Sequence, residues 1–290
     1  MKEFTNRVKS KLKEEGADLV GITTIERFKD VIPEQNPSSI FPEAKAVIVA
    51  GFFINRGLIR GIEEGTCFNY WSFVDPIHYW MTWFFNRVVD IFEEKGFEAV
   101  PIFPYLPVNI TNKGIKVAVD KPQPNIGVDV ELAAVRAGLG EIGYGGFFLT
   151  PEFGPLQKFM AIITDAPLIS DLVLKDRICD ECMDCVKICP LKSISEKEYA
   201  VMKICEKEIK IGKINYIKCK RCQNGAFISQ FPEIAPDRIP ALCARECLVH
   251  LEKEGILKHK WTNSFRKRKP WAIVDGDFVD MEKSKLSWLG

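Results

Sequence analysis

Histidine is scarce: three residues in 290, His78, His250 and His259, too scattered to make a constellation. Excess charge of either sign is missing too, with 40 Lys+Arg against 39 Asp+Glu. That balance argues against a surface built throughout for nucleic acid, although a local patch remains open. The most apolar stretch, Ile77 to Phe85, is broken by Asn86 and Arg87 and is too short to span a bilayer. The segment MKEFTNRVKSKLKEEG is charged throughout and carries no secretory or twin-arginine signal. The expectation is a cytoplasmic protein with no membrane association. There is no internal repeat and no low-complexity tract. At 47% hydrophobic and 27% charged residues, the chain has the composition of a globular protein. Its length suits one large domain or two ordinary ones.

Cysteine is plentiful instead. Cys67 stands alone, and the other nine of ten lie between Cys179 and Cys247. A disulfide scaffold is a poor fit for a cytosolic chain with a sizeable core, so metal binding or redox chemistry is the better expectation. The run Cys179-Asp-Glu-Cys182-Met-Asp-Cys185-Val-Lys-Ile-Cys189-Pro190 has the C-x2-C-x2-C-x3-C-P spacing of bacterial ferredoxins. A tight loop of this kind brings three thiolates to one cubane, and the fourth cysteine serves a second cluster. Structural zinc needs four ligands, commonly from two separated pairs, and has no use for this run plus five further cysteines.

Two [4Fe–4S] clusters need eight ligands, and nine clustered cysteines are available. One assignment gives the first cluster Cys179, Cys182, Cys185 and Cys247, and the second Cys189, Cys219, Cys222 and Cys243. The other assignment brings Cys205 into the second cluster and frees either Cys243 or Cys247. On a helix, the spacing of Cys243 and Cys247 puts both thiols on one face.

Ahead of the cysteines the pattern alternates. Phe4, Val8 and Leu12 mark a surface helix over 2–15, with Gly16 as its stop. The apolar, β-branched runs 17–23, 46–53, 97–103 and 156–165 predict strands. An aromatic helix is expected between Asp75-Pro76 and Lys95-Gly96, and another over 131–140 that runs into the turn GEIGYGG. The expected organisation is an α+β chain: an α/β domain over 1–170, a cysteine domain over 171–255 and a basic tail over 256–290. The tail segment KHKWTNSFRKRKPW could contact RNA, receive an acidic electron donor, or form a solvated edge.

Three motifs in order, AGLGE at 137–141, Leu149-Thr-Pro-Glu-Phe-Gly-Pro155 and Thr164-Asp-Ala-Pro-Leu168, precede the ferredoxin run. Together with the stretch from Asn125 to Gly143, they resemble the corrinoid-dependent reductases that include reductive dehalogenases and epoxyqueuosine reductases. The resemblance is clear over 120–190 and weaker over 40–120. It implies a base-off cobalamin in a nitroreductase-like α/β domain, followed by a ferredoxin-like domain with two [4Fe–4S] clusters. The cofactor would carry the difficult step while the protein supplies orientation and acid–base groups.

The resemblance also implies roles for residues. Gly138, Gly140 and Gly143, with Phe153 and Gly154, would lie along the corrinoid, since glycine permits close backbone approach. GLGEIG has a partial dinucleotide-binding spacing but follows a helix where that motif needs a strand. Tyr105 is the expected proton donor, with Tyr70 and Tyr144 as rivals, assisted by Asn125 and Lys158. The family carries an arginine at the Lys158 position, and lysine lacks its planar fork. The chain also departs from the epoxyqueuosine reductase arrangement D-x-x-P-x-x-E, having Lys-Pro-Gln-Pro-Asn at 121–125, and Cys222 is followed by Gln-Asn-Gly-Ala.

The implied function is reduction of an organic small molecule in an anaerobic setting, by dehalogenation or deoxygenation. A low-potential donor such as a ferredoxin or flavodoxin would supply the electrons, and nucleic acid is not expected as a partner. Two alternatives stand beside it: an electron-transfer protein that reduces another redox or corrinoid protein, and a reductase acting on a modified nucleoside in tRNA.

Overall fold

In a computed structural model, residues 1–102, 114–227, 235–270, 273–274 and 277–278 are described. The elements in chain order are α1 (Lys2–Glu14), β1 (Leu19–Thr24), α2 (Pro37–Ile40), β2 (Ala46–Phe53), α3 (Phe68–Glu93), β3 (Ala99–Ile102) and α4 (Val130–Arg136). There follow β4 (Glu141–Ile142), β5 (Phe148–Leu149), β6 (Gln157–Thr164), α5 (Asp184–Lys187), β7 (Ile194–Ile204) and β8 (Lys207–Ile214). The last are α6 (Tyr216–Lys220), α7 (Leu242–Lys253), β9 (Ile273–Val274) and β10 (Asp277–Phe278). The chain is thus a mixed helix and sheet protein.

Its centre is an antiparallel sheet in the order β1-β2-β6-β3, with Ile48 opposite both Ile22 and Ile162. Strands β2 and β6 are buried on both faces, which explains their continuous apolar sequences. Side chains alternate between two cores. Ala46, Ile48, Ala50 and Phe52 point, with Met160 and Ile162, into a core closed by Val8 and Leu12 of α1 and by Phe84, Val88 and Phe92 of α3. Val47 and Val49 point the other way, with Phe159, Ala161 and Ile163, toward α4. That second core continues without a break into Ile194, Ile204, Cys243 and Leu248. The cysteine-bearing half is packed directly on one face of the sheet.

Two elements differ from the sequence expectation. Helix α3 begins at Phe68, ahead of Asp75-Pro76. Its extra first turns carry Tyr70, which is buried and donates a hydrogen bond to Asp237, so a distant contact holds them. The β7–β8 hairpin was not expected at all. Most of β7 is exposed, so no apolar alternation marks it in the sequence. Helix α1, by contrast, stops where anticipated, at Gly16, whose φ of 110° lies in the left-handed region.

Candidate metal centres and the polar cluster beside them

Eight cysteines surround two enclosed cavities of nearly equal size. One, of about 380 Å³, is lined by Cys179, Cys182, Cys185 and Cys247. The other, of about 350 Å³, is lined by Cys189, Cys219, Cys222 and Cys243. Helix α7 contributes one cysteine to each, a helical turn apart. Cys205 lines neither. It sits at the tip of the β7–β8 hairpin with φ 55°, its Sγ 3.9 Å from Arg136, in an open groove of about 2130 Å³.

The ferredoxin run forms its loop through two left-handed residues, Glu181 and Met183, on either side of Cys182. Such residues cost about 1–2 kcal/mol each, so the loop needs outside support. Glu141 of β4 supplies it. Its buried carboxylate accepts the backbone N–H groups of Ile178 and Cys179 at 2.7 Å each. Lys207 of β8 neutralises that carboxylate at 2.7 Å and donates to the carbonyls of Leu174 and Asp176. Backbone N–H groups also reach sulfur, from Tyr144 to Cys179 at 3.4 Å and from Ser193 to Cys189 at 3.2 Å.

Burial pushes the Cys185 and Cys243 thiols up to about 12 and Cys222 up to about 11. Without a bound cation these sulfurs are neutral thiols. Metal-bound, they would be thiolates, and binding would release their protons.

Charge differs around the two cavities. Asp180, Glu181 and His250 line the first. Asp180 is half-exposed and lies 2.7 Å from His250 Nε2, and Glu181 pairs with Arg177 and Lys210. The second is lined by Arg238, only 7% exposed. Its guanidinium donates to the carbonyls of Gly145 and Gly146 at 2.9 and 3.0 Å and lies over the Phe147 ring at 4.4 Å. Among the described residues, no carboxylate forms an ion pair with it.

Next in the chain stands Asp237, a residue sequence reasoning missed. Its Oδ2 accepts from Tyr70 Oη and from Lys158 Nζ, each at 2.7 Å, and its Oδ1 accepts the Ile239 N–H. Burial pushes the Asp237 carboxyl up, but Lys158 and the Tyr70 hydroxyl hold it below the usual carboxylate range. Glu131 of α4, solvent-accessible yet recessed, is pushed up to about 7 by desolvation, with Asp129 adding and Lys158 and Arg238 opposing. No local motif marks Asp237 or Arg238. The one available signal was a charged pair in an otherwise apolar stretch, IAPDRIPAL.

The other anticipated residues fall in varied places. Tyr105 lies outside the described residues. Tyr144 is fixed by hydrogen bonds to the carbonyls of Ser195 and Glu196, away from Lys158. Asn125 is exposed with φ 67°, a conformation asparagine tolerates. A Cβ at Gly138 would meet the Leu172 carbonyl at 2.0 Å, and one at Gly140 the Leu149 carbonyl at 2.0 Å. Gly143 lines the first cysteine cavity. Phe153 stacks on Phe53 at 4.6 Å, and Gly154 packs near Leu251. Among the described residues of the basic tail, four cations sit on carboxylates: Lys258 on Glu152, Arg266 and Arg268 on Glu64, and Lys267 on Glu246.

Comparison with known proteins finds homologues of two names. The chain is 27% identical over 234 residues to the tetrachloroethene reductive dehalogenase of Sulfurospirillum multivorans, covering 67% of this chain and 41% of that protein. It is 29% identical over 154 residues to the epoxyqueuosine reductase of Bacillus anthracis, covering 43% of this chain and 39% of the relative. A catabolic reductive dehalogenase solved in complex with 3-bromo-4-hydroxybenzoic acid superposes with a TM-score of 0.55 at 20% identity, covering 87% of this chain and 33% of that one. That is a likeness in fold. No protein-family profile matches the chain. The chain spans about two fifths of the length of the two homologues named here.

Proposed function

We propose that this chain, a homologue of the reductive dehalogenases and epoxyqueuosine reductases, is an iron–sulfur and corrinoid reductase acting on an organic small molecule. The observation that carries this is the dipeptide Asp237-Arg238. Arg238 lines the second cysteine cavity, while Asp237 holds Lys158 and Tyr70. An electron leaving that cavity would emerge beside a proton-rich polar cluster.

The donor set suits two iron–sulfur clusters, with four sulfurs around each of two enclosed cavities. Cys179, Cys182, Cys185 and Cys247 would hold one, and Cys189, Cys219, Cys222 and Cys243 the other. Cys205 is left for no cluster. Residues 1–170 would form a nitroreductase-like unit that houses the corrinoid and substrate, with 171–255 as the ferredoxin-like unit and 256–290 as the basic tail. The core shared between the first two units would keep electron transfer distances fixed.

A base-off corrinoid, where bound, supplies low-valent cobalt as the reductant. Around it the chain's own residues manage the proton. Lys158 and Tyr70 both donate to Asp237, whose carboxyl they hold below the usual carboxylate range. Either could deliver a proton to a reduced substrate, with Asp237 holding the geometry. A low-potential one-electron donor would feed the first cavity.

A second reading, a tRNA-acting reductase, is supported by the epoxyqueuosine reductase homologues. In the tail, Lys258, Arg266, Lys267 and Arg268 are already paired, so fewer of its cations are left to meet phosphate. Salt-sensitive tRNA binding would favour it, and lack of binding at low salt would remove it.

The test is anaerobic purification, reconstitution with iron, sulfide and cobalamin, and joint measurement of bound iron and cobalt. Two clusters predict about eight irons per chain, and the corrinoid about one cobalt. Turnover of halogenated or epoxide compounds with a low-potential donor would then follow. Iron without cobalt would overturn the corrinoid assignment and leave an electron carrier.

A further inference from the structure

We infer that Arg238 sets an electrostatic step between the two cysteine cavities, giving the second the higher reduction potential. Electrons therefore run from the Asp180 side toward the Lys158 side. The inference rests on the two-cluster proposal above and goes beyond it.

A cluster gains one negative charge on reduction, so a nearby fixed cation favours its reduced form and raises its potential. Net charge, hydrogen bonds to sulfur and solvent exposure are the protein's means of setting such potentials. Hydrogen bonds reach sulfur on both sides: backbone donors from Tyr144 and Glu181 on Cys179, and from Ser193 on Cys189 and Asn224 and Ala226 on Cys222. Charge is not matched. Near the first cavity, Asp180 is half-exposed and bonded to His250, and Glu181 is shared between Arg177 and Lys210. Glu181 is neutralised by its two cations, and Asp180 is exposed enough for water to screen it. Arg238 is buried, lines the second cavity, and spends its hydrogen bonds on two neutral carbonyls. Among the described residues no carboxylate forms an ion pair with it, although Glu131 lies near enough to feel its charge.

Those two carbonyls also fix the location of the charge. Gly145 and Gly146 belong to the turn whose Gly143 and Gly145 line the first cavity, and a Cβ at Gly145 would lie 2.9 Å from Cys185 Sγ. Arg238 therefore stands between the cavities while lining only the second. The step is a one-electron transfer. With both cavities filled, the first cluster would lose one electron as the second gained it, and the low-potential donor would restore the first.

The test is a redox titration of both clusters, followed by electron paramagnetic resonance, in the reconstituted protein. Arg238→Met should lower the second potential by at least 59 mV, a tenfold change in its one-electron equilibrium. Arg238→Lys, which keeps the charge, should restore most of it. A merely structural arginine would not show that rescue. Full iron with unmoved potentials in Arg238→Met overturns the inference and leaves the two-cluster proposal standing. Iron for fewer than two clusters in the unaltered protein overturns both. Should Arg238→Met fail to fold, Cys182→Ser and Cys219→Ser decide by each retaining a single cluster. The cluster left in Cys182→Ser must titrate at the higher potential, and the reverse order overturns the inference.

Discussion

The first cysteine cavity is lined by Asp180, Glu181 and His250, whereas the second is lined by Arg238 and an apolar wall of Ile194, Ala241 and Leu242. Both present four sulfurs, and their volumes differ little. What separates them is support. The first hangs from a loop with two left-handed residues and is pinned by the buried Glu141–Lys207 pair. The second is assembled from three separate segments that meet around one guanidinium. Identical ligand chemistry can thus be held by quite different means, and those means decide which cavity is fragile and which is tunable.

The sharpest way to break the comparison is through α7. Cys243→Ser and Cys247→Ser should each remove about half of roughly eight irons, and spectroscopy should show a different cluster missing in each. Cys205→Ser should keep all the iron. Next in size is Lys207→Met, which leaves the Glu141 carboxylate buried and unpaired. Breaking such a pair costs about 3–5 kcal/mol, measured by anaerobic denaturant unfolding. Chelators should then strip the first cluster well before the second.

Gly145→Ala places a methyl 2.9 Å from Cys185 Sγ and 3.0 Å from the Phe147 ring. Overpacking of this kind costs about 1–3 kcal/mol, and the first cluster's spectrum should change more than the second's. The smallest effect concerns Glu131, whose carboxyl is raised from 4.5 to about 7. The native state binds its proton more tightly, so this stabilisation is complete below pH 4.5 and is lost as pH rises through 7. Glu131→Gln should match the parent's melting temperature near pH 4.5 and exceed it at pH 8, and equal melting temperatures at pH 8 would refute the shift.

Much of this was legible in the sequence, for identifiable reasons. Strands β2 and β6 announce themselves because burial on both faces demands unbroken apolar runs. The cysteine loop is legible because its ligands are adjacent in the chain. The polar groups that set the cavities apart are not. Glu141 acts on Cys179 across 38 residues, and Asp237 on Lys158 across 79. No spacing rule covers contacts made only by tertiary packing. The β7–β8 hairpin escaped for the opposite reason, since its exposed first strand has no buried face to leave a pattern. The tail's role stayed open for a similar reason, because a run of cations shows no sign of the glutamates from distant segments that pair with several of them.

Helix α7 gives one cysteine to each cavity from adjacent turns, about 6 Å apart along its axis. Loading therefore becomes a matter of order and cooperation. If filling one cavity stiffens the shared helix, the entropy lost in doing so is spent once for both. Linkage makes this mutual: each occupied cavity tightens the other by the same factor. A limited supply of iron and sulfide should then divide the population into empty and fully loaded molecules, with half-filled ones rare in a native mass spectrum. An even spread of half-filled protein would mean that the helix is already rigid before either cavity fills.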